Sequence, residues 1–135
     1  AAGGLGGGCY LFLHAPLLSG ISMLKRILHF DETIQDADLI ITGEGKMDVQ
    51  TEQGKLLWGI LESAGKYHVP VVAITGNCAE QSGKMEENPL LATFPIHPAP
   101  VSLSDAMQPD YARLQVSRTI HSVIKLISFG KKTCS

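Results

Sequence analysis

The stretch DLIITGEGKMDVQTEQGK, residues 38–55, decides how this chain of 135 residues folds. DLIIT, 38–42, is short and aliphatic and lies between Asp36 and Gly43. That pattern predicts a strand buried on both faces. From Thr51 the period changes. Leu56, Leu57, Ile60, Leu61 and Ala64 share one helical face, and Thr51 is a candidate N-cap. YHVP ends this helix, and VVAIT, 71–75, reads as a second buried strand closed by Gly76. Strand, helix, strand over 38–75 is a right-handed βαβ unit in a parallel sheet.

The flanks add weaker elements. Downstream, 77–91 is polar and reads as a loop with a helical turn. ATFPI, 92–96, predicts a third strand, which Pro95 confines to an edge or a strand end. Ser102 caps a turn at LSDAM. A helix from about Asp110 to Ser128 should dock on the sheet through Leu114, Ile120, Ile124 and Ile127, and FGKKTCS should fray. Upstream, CYLFLHAPLL, 9–18, can be helical up to the limit set by Pro16. Ser19 caps a helix over GISMLKRILHF, with Ile21, Leu24, Ile27 and Leu28 on one face, and a helical turn covers 31–36.

Composition narrows the function classes. Hydrophobic residues make up 44% and charged residues 18%, as in a globular domain rather than a disordered one. The net charge of −2 supplies no basic excess for a nucleic-acid partner. No apolar run reaches the roughly 18 residues of a membrane span. Cys9, Cys78 and Cys134 form no C-x-x-C, and the five histidines form no H-E-x-x-H pair. A disulfide framework and a structural zinc site are therefore not expected, and a reducing cytoplasm is. The start AAGGLGGG carries no initiator methionine and reads as cut from a longer protein.

Ligands of open parallel sheets bind at the carboxyl ends of the strands. Two loops are expected there, 43–51 and 76–83. In the first, Gly43 and Gly45 allow positive φ or close approach of the backbone to a ligand. Glu44 and Asp48 can hold magnesium, or Asp48 can take a proton from a hydroxyl. Lys46 and Lys55 can neutralise phosphate oxygens, and the helix start near Thr51 suits an anion. The competing reading is a solvated loop whose charges do nothing. Spacing alone excludes a P-loop and leaves both readings open. AAGGLGGG can cradle phosphate through its amides or serve close packing, and it is no dinucleotide fingerprint. TGN, 75–77, reads as a strand-ending turn. Lys84 to Glu87 read as a solvated loop, and Trp58 and Tyr111 as packing or surface residues.

These residues, taken in order, resemble a known family. AAGGLG, then ADLIITGEGKMDVQT, then GK, occupy Ala1–Gly6, Ala37–Thr51 and Gly54–Lys55, and SLSDAM follows at 102–107. The run resembles the bacterial glycerate kinases of the two-domain type, which phosphorylate D-glycerate with ATP. The resemblance reaches about Ser128. It implies an α/β, Rossmann-like three-layer fold with a parallel sheet, incomplete because family members are much longer. On that basis 1–36 ends the second domain and forms a helical connection, 37–128 is the Rossmann-like part and 129–135 is a tail.

It further implies that Asp48 and Lys46 are catalytic. Gly3, Gly4, Gly6, Gly43, Gly45, Gln50, Thr51 and Lys55 would contact substrate or phosphate, and Glu44 and Asp48 would hold Mg2+. Lys46 stands where the family often has arginine, so a point charge replaces a planar fork. The implied partners are glycerate and ATP, with no nucleic acid and no membrane. The chain alone is expected to be inactive and to self-associate through uncovered apolar surface. The alternative is a non-catalytic α/β module that binds an anion or a second copy of itself.

Overall fold

A computed structural model describes residues 3–47, 55–78 and 87–133. In chain order the elements are α1 (Gly3–Leu13), α2 (Gly20–Ile27), α3 (Phe30–Ile34), β1 (Ile40–Met47), α4 (Lys55–Tyr67) and β2 (Val71–Cys78). Then come β3 (Leu91–Pro95), α5 (Leu103–Ala106) and α6 (Pro109–Thr133). The strands form one parallel sheet in the order β1-β2-β3.

β2 is the central strand, and its side chains show why the sheet has two covered faces. Val71 and Ala73 pack with Leu57, Ile60, Leu61 and Ala64 of α4. Val72 and Ile74 pack with Val123 of α6, joined by Val116 and Ile120. Successive strand residues point to opposite faces, so α4 and α6 lie on opposite sides of the sheet. The α/β three-layer reading is therefore correct, with the core centred on VVAIT. β1 departs from expectation. Its pairing begins at Ile40, whose N–H donates to the Pro70 carbonyl at 2.9 Å. It is an edge strand, so Ile41 is exposed rather than buried on both faces. β3 is the other edge of the described sheet and Pro95 is its last residue, which meets both positions open to that proline.

Two helices differ from their sequence pattern. On α6 the buried residues are Gln115 and Val123, with Val116 and Ile120 packed beside Val123, while Leu114, Ile124 and Ile127 are exposed. Of the expected four, Ile120 faces the sheet and Ile127 lies at its margin, in a groove with Leu39, Val72 and Ala92, because the helix rests on the row i, i+4, i+7, i+11 from Val116. The helix also continues through Phe129 to Thr133 instead of fraying after Ser128. Ser128 Oγ donates to the Ile124 carbonyl, and Lys125 lies 5.8 Å from the Phe129 ring centre, so local bonds carry the last turns. α1 starts within the glycine run rather than at Cys9 and ends before His14, whose φ is 51°. It leaves Leu5, Leu11 and Phe12 largely exposed, the last at 84%.

α2 has its expected cap, with Ser19 Oγ accepting from the Ser22 N–H at 3.2 Å. Its apolar stripe is not covered: Leu24, Ile27 and Leu28 are exposed. Ile21 reaches α4 because Gly59 has no side chain, and a Cβ there would collide with Ile21. Polar contacts fix the same junction. Lys25 Nζ donates to the Gly59 carbonyl and to Glu62 Oε2, both at 3.2 Å. Asp31 accepts from the fully buried Ser63 Oγ at 2.5 Å and from Lys66 Nζ at 2.6 Å.

The Lys66 and Ser63 hydrogen bonds hold the Asp31 carboxyl below its ordinary 3.8, and Asp31 raises Lys66 above 10.5. A lowered carboxyl contributes stability that is present above its unfolded value and lost as pH falls through its folded value. A raised lysine contributes stability lost as pH rises through its folded value. The urea midpoint of Asp31→Asn should therefore lie below wild type at neutral pH, and the gap should close toward about pH 2. A gap that stays constant over that range contradicts this origin. At the sheet, a Cβ on Gly76 would stand 2.5 Å from the Gly45 carbonyl oxygen. Gly76→Ala should cost about 1–3 kcal/mol in chemical denaturation, since paired backbones cannot yield as a side chain can. Gly65→Ala, open on all sides, is the control.

Candidate functional site at the carboxyl edge of the sheet

The segment expected as a loop after 42 is strand through Met47. Its residues pair on both sides of Gly45, with Gly43 opposite Ile74, Glu44 opposite Thr75, Lys46 opposite Asn77 and Met47 opposite Cys78. TGN is likewise strand, not turn, because β2 runs on to Cys78 and supplies those partners. Both strands thus project their polar ends about one turn-length beyond the core. The rest of the two expected loops, from Asp48 and from Ala79, lies outside the described residues.

Neither Gly43 nor Gly45 has the left-handed backbone that favours glycine. What they contribute is missing bulk. A Cβ on Gly45 would meet nothing within 4 Å, and one on Gly43 would make only ordinary contact with the Ile74 carbonyl. Together with Gly76 they floor a cleft of about 420 Å³ walled by Ile96, Val116 and Ile120. Glu44 borders this cleft and is half-buried; the two-residue period directs its side chain to the α4 face of the sheet, and its Oε1 accepts from the Gly45 N–H at 3.1 Å. That single bond leaves most of the carboxylate's lone pairs free for a cation or a donor.

The other expected residues are distributed as follows. Lys46 holds a strand position beside Asn77, one residue past the cleft floor. Lys55 is the first described residue of α4, the helix that follows β1. Asp48, Gln50 and Thr51 lie outside the described residues. Gly3, Gly4 and Gly6 begin α1 and do not line the cleft. A Cβ on Gly4, Gly7 or Gly8 would meet nothing within 4 Å among the described residues. Among the described residues no three histidines, cysteines or carboxylates gather as a metal site. Glu44 stands alone there, which suits an ion held by one or two carboxylates and substrate phosphates rather than by a protein cage. Among the described residues no helix is long and apolar enough to cross a membrane.

Two features of this edge escaped the sequence reading. One is the contact of Gly76 with the Gly45 carbonyl. The other is Thr75, fully buried with an Oγ1 that has no hydrogen-bond partner. A β-branched residue in an aliphatic run signals strand, and nothing in the run signals an unmet hydroxyl.

Comparison with known proteins supplies the family. The model of the glycerate kinase family matches residues 1–128. A glycerate kinase of Bacillus subtilis (strain 168) is 37% identical over 131 residues, 97% of this chain and 34% of the relative. The glycerate 2-kinase of Escherichia coli (strain K12) is 35% identical over 127 residues, 93% of this chain and 33% of the relative. A crystal structure from Salmonella typhimurium LT2, provisionally assigned as glycerate kinase 2, aligns over 95% of this chain and 33% of its own. Its TM-score is 0.64 at 30% identity. The chain spans about a third of the length of the curated relatives it matches. With its parallel sheet, its glycine-floored edge and a family match running from the first residue to Ser128, the chain belongs to the glycerate kinase family.

Proposed function

We propose that this chain forms one wall of the cleft in which a glycerate kinase transfers the γ-phosphoryl group of ATP to a hydroxyl of glycerate. The observation that carries the reading is the extension of β1 past the core. It sets the Glu44 backbone, Gly45 and Lys46 on the carboxyl edge of a parallel sheet, where α/β proteins bind ligands. Phosphoryl transfer demands positioning and charge neutralisation more than covalent chemistry. A glycine floor admits a phosphate close to backbone, and lysines at 46 and 55 supply positive charge on either side of the β1–α4 connection. Gly3, Gly4, Gly6, Gln50 and Thr51 are further candidates for contact with substrate or phosphate.

Glu44, with Asp48, is the candidate holder of Mg2+, which when bound neutralises phosphate oxygens. Asp48 orients or deprotonates the accepting hydroxyl. Lys46 stabilises charge on the group in transfer. The Escherichia coli relative is named a glycerate 2-kinase. We carry that position over to the substrate hydroxyl, and the cytoplasm over as the compartment.

The test is an ADP-release assay with D-glycerate, Mg2+ and ATP on a full-length kinase containing this segment, with the product identified by 31P NMR. The expected result is 2-phosphoglycerate. Asp48→Asn and Lys46→Met should each lower kcat by about 100-fold, and the isolated chain should show no turnover. Wild-type turnover in Asp48→Asn removes that residue from the mechanism.

A second reading has its own observation. Leu5, Leu11, Phe12, Leu24, Ile27 and Leu28 are exposed on α1 and α2, and the outer edge of β1 pairs with no described strand. Such surfaces drive association. The isolated chain should sediment as a dimer or larger, and Leu11→Lys with Phe12→Glu should shift it toward monomer. A wild-type monomer at all accessible concentrations excludes this reading.

A further inference from the structure

Thr75 ends the run of fully buried residues on β2, with 0% exposure and no partner for its Oγ1. A buried donor without an acceptor is costly, and native proteins rarely keep one without a use. Its surroundings on the sheet are specific. Thr75 lies between Glu44 of β1 and Pro95 of β3 in the strand register. Ile40, Val71 and Ala73 mark the α4 side of the sheet. The two-residue period then puts the side chains of Glu44 and Thr75 on that side as well, directly opposite each other. The Thr75 backbone is already committed, its carbonyl accepting from the Ile96 N–H at 2.9 Å. The carboxylate opposite is held only by its neighbour's N–H, the Gly45 contact at 3.1 Å.

We propose that Thr75 is a positioning residue, whose hydroxyl, unbonded in the resting protein, donates to the Glu44 carboxylate when a magnesium–phosphate group occupies the carboxyl edge. In the resting state Glu44 turns to the Gly45 N–H. That amide is one of the backbone donors a phosphate would take. A phosphate on Gly45 releases the carboxylate, which has Thr75 beside it on the next strand. The hydroxyl would then fix one carboxylate oxygen and leave the other to the cation. The exchange needs only side-chain rotation, since Glu44 and Thr75 are already opposite each other in the strand register. The kinetic part of this inference rests on the kinase reading above; the unbonded state of the hydroxyl does not.

Two variants test it. Thr75→Val removes the hydroxyl and keeps the shape. Thr75→Ser keeps the hydroxyl. In the chain itself, Thr75→Val should raise Tm by about 4 °C or more, because an unmet buried donor is deleted. An unchanged or lower Tm shows that the hydroxyl is bonded at rest and overturns the proposal. In a full-length kinase containing this segment, Thr75→Val should raise KM for Mg2+ at least fivefold with a smaller change in kcat. Thr75→Ser should restore the wild-type KM. Equal KM in wild type and Thr75→Val also overturns it. If the wild-type enzyme shows no glycerate-dependent turnover, the kinase reading fails. The Tm of Thr75→Val then decides the state of the hydroxyl by itself.

Discussion

The pairing of β1 with β2, which runs from Ile40 to Glu44 and resumes at Lys46 and Met47, is the constraint on which the rest of the structure depends. It holds only because Gly76 lets the Gly45 carbonyl pass where a Cβ would stand. A Cβ at position 76 would force a shift of the backbone at Gly45. With the register kept, Glu44 and Lys46 hold strand positions. Sites built on regular elements hold their geometry better than sites on loops.

The same pairing organises the energetics. β2, flanked on both sides, buries Val71 to Thr75 almost completely, and α4 and α6 each cover alternate residues of it. The α4 layer is further tied to α3 by the Asp31–Ser63–Lys66 cluster and to α2 by Lys25 and by Ile21 against Gly59. Burial falls away from this centre. α1 and the outer stripe of α2 carry large apolar side chains in solvent, an arrangement that marks an interaction surface rather than a finished one. In the glycerate kinase relatives the matched segment is about a third of the protein, so surfaces of this kind have more chain against which to pack.

The legible part of the fold was the part governed by local pattern. The apolar run at 71–75 and the helical period from Leu56 to Ala64 named β2 and α4, and Pro95 confined β3 to an edge or a strand end, both of which it shows. Ser19 and Ser102 capped their helices as read, each accepting from an N–H three residues on. The pattern failed where a strand lacks apolar side chains. GEGK has no hydrophobic signature, and glycine usually ends strands, so its pairing with TGNC was invisible to periodicity. It failed too on α6, where several apolar stripes compete and only the position of the sheet selects the one through Val116, Ile120 and Val123.

At the site the division is similar. The residue types that suit phosphate chemistry, and the edge they occupy, were readable from 38–55 and from the family resemblance. The sequence by itself determined a parallel α/β unit, a polar exit from its first strand and membership of the glycerate kinase family. Tertiary structure alone decided that this exit is strand, that its glycines open a floor instead of a left-handed turn, and that Thr75 is sealed in without a partner. The reason is physical. Propensity and period act through neighbours along the chain, whereas these three outcomes are set by atoms of β2, α4 and α6 that meet β1 only after the sheet has formed.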